Sequence, residues 1–212
     1  MKELLNKTKE MIIDTLLPRK CVNCGQEGKY VCDSCSLFLL EAPTLRSIGG
    51  LEELISVWEY EGIIKNLLGD IKSNKTYDII NELMERAFRI REAAILEGTY
   101  ITFVPMWAKK EKEMGFNPAE LIARKLGEKT GNKVIPLLTK TRDTSFQKDS
   151  SKEERARIIK GSFAIKGADF IPEKVLLVDD LWESGVTMAE CCRKLKERGV
   201  KLVWGFTLAR TS

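Results

Sequence analysis

Residues 175–188 read Val-Leu-Leu-Val-Asp-Asp-Leu-Trp-Glu-Ser-Gly-Val-Thr-Met. Val175–Val178 form an unbroken apolar run, the pattern of a strand buried on both faces of a parallel sheet. Such a strand delivers Asp179 and Asp180 to the C-terminal edge of the sheet, where ligands bind in open α/β folds. The turn Glu183-Ser184-Gly185-Val186-Thr187 follows at once, and a helix is expected over about 186–198, ending at Gly199. Backbone N–H groups at a helix N-terminus favour an anion, Ser184 and Thr187 add hydroxyl donors, and Gly185 lets the backbone approach closely.

Carboxylates beside an anion cradle suit a ligand that carries both hydroxyls and a phosphate. A phosphorylated ribose matches, with the two acids accepting from the 2- and 3-hydroxyls and the turn holding the 5-phosphate. A strand that merely ends in acids is the alternative; the turn and helix start immediately after it favour the ligand site. No GxxxxGK[ST] loop is present, which argues against a P-loop ATPase.

Outward from this segment, strands and helices alternate. Strands are expected at 55–60, 100–104 (Tyr-Ile-Thr-Phe-Val), 133–138, 174–178 and 201–209, and helices at about 61–72, 76–95 and 152–160. Asn117 can cap a helix that has Pro118 at its first position and Glu120 at the capping-box place. The alternation implies α/β architecture with a parallel sheet flanked by helices. Residues 2–17 read as an amphipathic helix with Leu5, Met11, Ile12 and Leu16 on one face, stopped by Pro18. Pro43 and Gly49-Gly50 suggest a linker around 42–50, and residues 139–151 a mobile polar loop. The expected division is 1–45 for the helix and cysteine segment and 46–212 for the sheet domain.

Cys21-Val-Asn-Cys24 and Cys32-Asp-Ser-Cys35 are two CxxC pairs with seven residues between them. Two such turns complete a tetrahedral thiolate shell around a structural zinc and leave no open position for catalysis. Disulfides and a redox CxxC are the competing readings. Cys191 and Cys192 fall on the 186–198 helix beside Met188 and Leu195 and read as buried apolar residues.

The chain contains no histidine, which removes imidazole acid/base catalysis and histidine metal ligands. Of its 212 residues 43% are hydrophobic and 31% charged, so a packed core is expected and wholesale disorder is not. No apolar run reaches the roughly 18 residues of a membrane helix, and the charged N-terminus lacks a secretory apolar segment; a cytoplasmic protein is expected. The formal charge is +4. Residues 139–166 hold eight basic side chains against four acidic ones, so this segment carries the whole excess. A solvated helix and loop explains that charge as well as a phosphate-binding surface does.

The 175–188 segment resembles the phosphoribosyl-pyrophosphate (PRPP) motif of type I phosphoribosyltransferases. The order of four-cysteine knuckle, Val104–Gly127 (VPMWAKKEKEMGFNPAELIARKLG), LLVDD and a closing Thr207-Leu-Ala-Arg210 is similar to the competence protein F family, from about Pro18 to Arg210. The resemblance implies a phosphoribosyltransferase-like sheet with an N-terminal zinc knuckle and a part in DNA uptake during natural transformation. It implies a PRPP site at Asp179, Asp180, Glu183, Ser184, Gly185, Val186 and Thr187, and a pyrophosphate loop at Pro105-Met106-Trp107-Ala108. The segment around 140–160 becomes the flexible hood, with Arg142, Lys148, Arg155 and Arg157 available for pyrophosphate or nucleic-acid phosphate. Structural zinc and PRPP-bound Mg²⁺ are the implied ions, and single-stranded DNA, a DNA-uptake helicase or another competence protein the implied partners. The chain departs from the family at Glu183, where Thr is more frequent, at Trp107, and at Pro118, which replaces a frequent Gln.

Two functions stay open, beside a purely structural adaptor. One is a binding module that keeps the PRPP-like pocket and engages single-stranded DNA, with Trp107, Phe146 and Trp182 as stacking candidates. The other is an active Mg-dependent transferase that passes ribose 5-phosphate to a nitrogen nucleophile.

Overall fold

The computed structural model describes residues 18–74, 76–90, 99–145, 151–167 and 170–211. The amphipathic segment 2–17, the end of the expected 76–95 helix, and Phe146 and Lys148 lie outside the described residues.

A continuous apolar strand needs cover on both faces, and the structure supplies it. β6 (Lys174–Trp182) lies inside a five-stranded sheet ordered β1-β2-β7-β6-β3, with β1 at Leu45–Ile48, β2 at Leu51–Glu59, β3 at Tyr100–Phe103 and β7 at Leu202–Arg210. β2, β7, β6 and β3 run parallel, while β1 pairs antiparallel with β2. The two-residue period of the strand divides the core. Leu176 and Val178 join one buried cluster with Ile101 and Phe206; Val175 and Leu177 join a second with Val203 and Met188.

The first cluster is covered by α2 (Gly62–Ser73), α3 (Asp78–Ile90) and α5 (Pro118–Thr130). The second is covered by α7 (Val186–Glu197) and by a small antiparallel pair, β4 (Leu138–Lys140) and β5 (Phe163–Ile165), carrying α6 (Lys152–Ile159) between them. α6 opens on a capping box: Ser151 Oγ accepts from the Glu154 N–H at 3.2 Å and the Glu154 carboxylate accepts from the Ser151 N–H at 2.8 Å. Glu190 of α7 accepts from the Gly161 N–H at 2.7 Å, which ties this excursion down onto the sheet.

Asn117 caps α5 as expected, accepting from the Ala119 N–H at 3.0 Å, with Pro118 at the start of the helix. Glu120 accepts from Arg124 one turn on. Three readings need correction. The expected linker at 42–50 is a hairpin: Ala42 N donates to Val57 O, Glu59 N to Leu40 O, and Gly49-Gly50 join β1 to β2. Packing explains this, since a side chain at Gly49 would lie 3.0 Å from the Trp182 ring. The expected strand at 133–138 is a parallel bridge from Val134 to Ile101, and regular pairing begins only at Leu138. The expected polar loop at 139–151 therefore starts inside β4.

Between Cys32 and Cys35 the chain forms one helical turn, α1 (Asp33–Ser36). The knuckle packs on α3: Glu82 accepts from the N–H groups of Tyr30 (2.8 Å) and Val31 (3.0 Å), and Arg86 donates to Val31 O.

Candidate functional site

The C-terminal ends of the parallel strands converge on a cavity of about 650 Å³. Its wall includes Asp179 and Asp180 from β6, Pro105, Met106 and Trp107 from the loop after β3, and Glu183 and Thr187 from the turn into α7. A smaller pocket of about 120 Å³ is formed by residues 181–188, so Ser184, Gly185 and Val186 face it. Asp179, Asp180, Glu183, Thr187 and Lys72 line both spaces. The acid pair thus stands on the border between a phosphate-sized pocket and a larger chamber.

The turn has the conformation an anion cradle needs. Gly185 is the N-cap of α7 at φ 76°, in the left-handed region, and no side chain caps the helix. Its first N–H groups are therefore left to a ligand or water. A Cβ on Gly185 would sit 2.3 Å from the ring of Trp182, which is buried. Both the backbone angle and the ring require glycine here. Trp182 is thus a structural anchor rather than an exposed stacking platform. Thr211 steadies the turn from the end of β7, its hydroxyl donating to Glu183 O at 2.7 Å.

The acid pair is electrostatically asymmetric. Lys72 Nζ lies 2.6 Å from Asp180 Oδ2. Burial lowers the Lys72 pKa, but Asp180 and Asp179 outweigh it and the net shift is upward. Asp179 has no such partner. Burial, and then the neighbouring Asp180 charge, push its carboxyl well above the usual carboxylate range, against the Asp180 N–H that donates to its Oδ1 at 2.9 Å. A ligand hydroxyl or a cation at Asp179 would offset that desolvation.

Glu183 points toward the segment carrying α6, where its carboxylate pairs with Arg155. The two charges that the sequence placed at this site, one unwelcome to phosphate and one attractive to it, neutralise each other. Arg142 is exposed and donates to Lys160 O at 2.9 Å; Arg157 is exposed on α6. Arg142, Arg155 and Arg157 do not line the cavity. Ala108 begins α4 (Ala108–Met114) and is exposed, while Pro105, Met106 and Trp107 reach the cavity. The side-chain amide of Asn117 holds that loop, donating to Val104 O at 3.0 Å.

Sequence reasoning missed Lys72 and Lys110, and reached Lys140, Asp143, Thr144 and Ser145 only as part of the 140–160 hood without naming them as site residues; all six line the cavity. They come from α2, α4, β4 and the loop after β4, and only the three-dimensional fold brings them together.

At the knuckle, the sulfurs of Cys21, Cys24, Cys32 and Cys35 all lie within 4.8 Å of one another, with Cys24 and Cys32 3.6 Å apart. Tetrahedral Zn–S bonds of about 2.3 Å put sulfurs roughly 3.8 Å apart, so the donor set fits. Burial pushes the Cys21 thiol up, but the backbone N–H groups of Cys32, Cys24 and Asn23 favour its thiolate more and leave it lowered to about 6. These four residues could hold a metal ion such as zinc. Cys191 and Cys192 are buried in α7, as expected. Among the described residues, no helix is long and apolar enough to cross a membrane.

Residues 112–210 match the phosphoribosyl transferase domain model. The chain is 27% identical to competence protein ComFC of Bacillus subtilis over 201 residues, covering 90% of this chain and 78% of the relative. It is 24% identical to DNA utilization protein YhgH of Salmonella typhimurium (90% and 84% covered) and 24% identical to competence protein F of Haemophilus influenzae (89% and 84%). The match to these relatives runs over about 90% of the chain, and its C-terminal part matches the phosphoribosyl transferase model, so the chain is similar to the competence proteins over most of its length and to a phosphoribosyl transferase domain in its sheet.

Proposed function

We propose that the chain binds PRPP or a related ribose 5-phosphate ligand and serves in DNA uptake, as the names of its relatives suggest. One observation carries the reading: Asp179 and Asp180 stand on the border of a small pocket walled by the Gly185 turn, within reach of both spaces. The acids accept from the ribose hydroxyls, and the 184–187 N–H groups and hydroxyls hold the 5-phosphate. Mg²⁺ would enter with the pyrophosphate and neutralise its charge. In this reading the knuckle holds structural zinc, and the knuckle and the basic 139–166 segment are each a contact for single-stranded DNA or for a DNA-uptake helicase or other competence protein.

A second reading is supported by the size of the larger chamber, which leaves room beyond a ribose phosphate. There the chain would catalyse Mg-dependent transfer of ribose 5-phosphate to a nitrogen nucleophile, mainly by positioning the reactants and stabilising the departing pyrophosphate.

Calorimetric titration with PRPP and Mg²⁺, followed by single-stranded DNA over a range of salt concentrations, tests both. PRPP binding without pyrophosphate release supports the binding module, and release on adding a nitrogen acceptor supports the transferase. Failure of the folded protein to bind PRPP rejects the ligand assignment. A DNA affinity that does not fall with salt rejects the basic segment as a phosphate contact.

A further inference from the structure

Three carboxylates border both spaces, and the chain itself answers each of them. Glu183 pairs with Arg155, which lines neither space. Asp180 pairs with Lys72, whose Nζ lies 2.6 Å from Oδ2. Asp179 is pushed toward its neutral form by burial and by the Asp180 charge. Among the described residues that line both spaces, Lys72 alone is a cation. Its place is built into the fold. It stands in the last turn of α2, next to Ile71, which is 1% exposed, and a helix C-terminus favours positive charge. Asn74 closes that helix end, its N–H donating to Asp70 O at 2.9 Å and its side-chain amide to Asp70 Oδ1 at 3.0 Å. Burial disfavours the Lys72 ammonium, and the attraction of Asp180 and then of Asp179 overcomes it. One protein cation thus serves both acids, and a metal ion bridging them would have to displace it.

We infer that Lys72 is the resident counter-ion of the acid pair: it keeps divalent metal off Asp179 and Asp180 and lets the site take a ribose 5-phosphate group without metal. The exclusion of metal stands on the geometry alone, and the ligand half rests on the ribose-phosphate reading. Two bare carboxylates would repel an anionic ligand, and a metal ion is the usual remedy. Here the remedy is a side chain delivered by α2 from the opposite end of the sequence to β6. Lys72 is therefore a specificity-determining residue: it sets which ligands the acids accept unaided, and it acts through Asp180.

The test uses the full chain as wild type, Lys72→Met, Lys72→Arg and the double variant Lys72→Met, Asp180→Asn. The Lys72 side chain is 47% exposed, so its replacement leaves the core intact. The first probe is Mn²⁺ alone, which takes the same oxygen ligands as Mg²⁺, titrated by paramagnetic resonance. The second is ribose 5-phosphate, titrated by calorimetry without added metal and then with Mg²⁺. Lys72→Met is expected to bind Mn²⁺ about ten-fold or more tightly than wild type, because a repelling charge beside the acids has gone. Lys72→Arg keeps the charge and should bind Mn²⁺ as weakly as wild type, and Asp180→Asn should abolish the gain. Ribose 5-phosphate should bind wild type equally with and without Mg²⁺. Lys72→Met should bind it about ten-fold more weakly without Mg²⁺ and recover most of the loss with it. The inference is overturned if Lys72→Met gains no Mn²⁺ affinity, if the gain survives Asp180→Asn, or if wild type binds ribose 5-phosphate only with Mg²⁺. A wild type that ignores ribose 5-phosphate in both buffers, with the Mn²⁺ gain of Lys72→Met intact, would reject the ligand reading and uphold the counter-ion.

Discussion

Lys72, in the last turn of α2, places its ammonium 2.6 Å from Asp180 at the end of β6. The contact joins a helix that covers the first core cluster to the strand that carries the acid pair. Asp180 is largely shielded while Lys72 is nearly half exposed, so solvent screens the pair and its contribution is on the order of 1 kcal/mol. Lys72→Met and Asp180→Asn are each expected to destabilise by about that amount. The double variant should cost little more than either, because both remove the same interaction. Denaturant melts of the four proteins provide the cycle, and strictly additive losses would show that the pair does not couple.

Asp179 should make stability depend on pH in a definite direction. Its native pKa is raised above the ordinary 3.8, so between those two values the folded state binds more protons than the unfolded one. Stability from this group is therefore highest in acid and is lost as pH rises through the window. Asp179→Asn removes that loss and keeps an acceptor for the Asp180 N–H. The variant should melt higher than wild type near pH 7, with about 2–4 °C for each kcal/mol gained, and the difference should vanish below about pH 4. PRPP affinity should fall in the same variant, as expected where a site is held against its own stability.

Glu82 should govern the knuckle from outside it. Its carboxylate accepts from two consecutive backbone N–H groups just before Cys32, and it is itself steadied by Arg86. Glu82→Ala leaves both donors without an acceptor, a cost of about 1–3 kcal/mol. The knuckle should loosen first, so metal release to a chelator should become easier by roughly ten-fold, while the sheet keeps its far-ultraviolet dichroism. Loss of dichroism in step with metal loss would place knuckle and sheet in one cooperative unit.

The parts legible in the sequence were those set by local chemistry. Val175–Val178 announces a doubly covered strand, Asn117-Pro118 a helix start, and paired CxxC turns a thiolate cluster, because neighbours along the chain suffice for each. Gly49-Gly50 was ambiguous on those terms, since a linker and a hairpin turn have the same composition. What decides it is Trp182, over 130 residues away, against which the turn closes. Lys72 and Lys110 looked like ordinary surface charges for the same reason, and Lys140 stood only as one of the eight basic residues of the 139–166 segment. Their convergence on one chamber is a property of the sheet edge and of the β4–β5 excursion, and no spacing along the chain encodes it.

The pairing of Glu183 with Arg155 links the Gly185 turn to α6, and it alters what the departure from threonine at position 183 means. Alone, a carboxylate beside the Gly185 turn would repel a phosphate. Paired, it gives up most of that repulsion and holds α6 close to the site. Glu183→Thr removes the repulsion, so ribose 5-phosphate affinity should rise. Arg155→Ala leaves Glu183 uncompensated and should lower that affinity by about ten-fold, a loss that salt partly masks. In the double variant Glu183→Thr, Arg155→Ala the carboxylate is absent too, so affinity should return close to wild type. Calorimetry on the three variants separates this from a direct role: if Arg155 contacts the ligand itself, removing it will be as damaging in the Glu183→Thr background as in wild type.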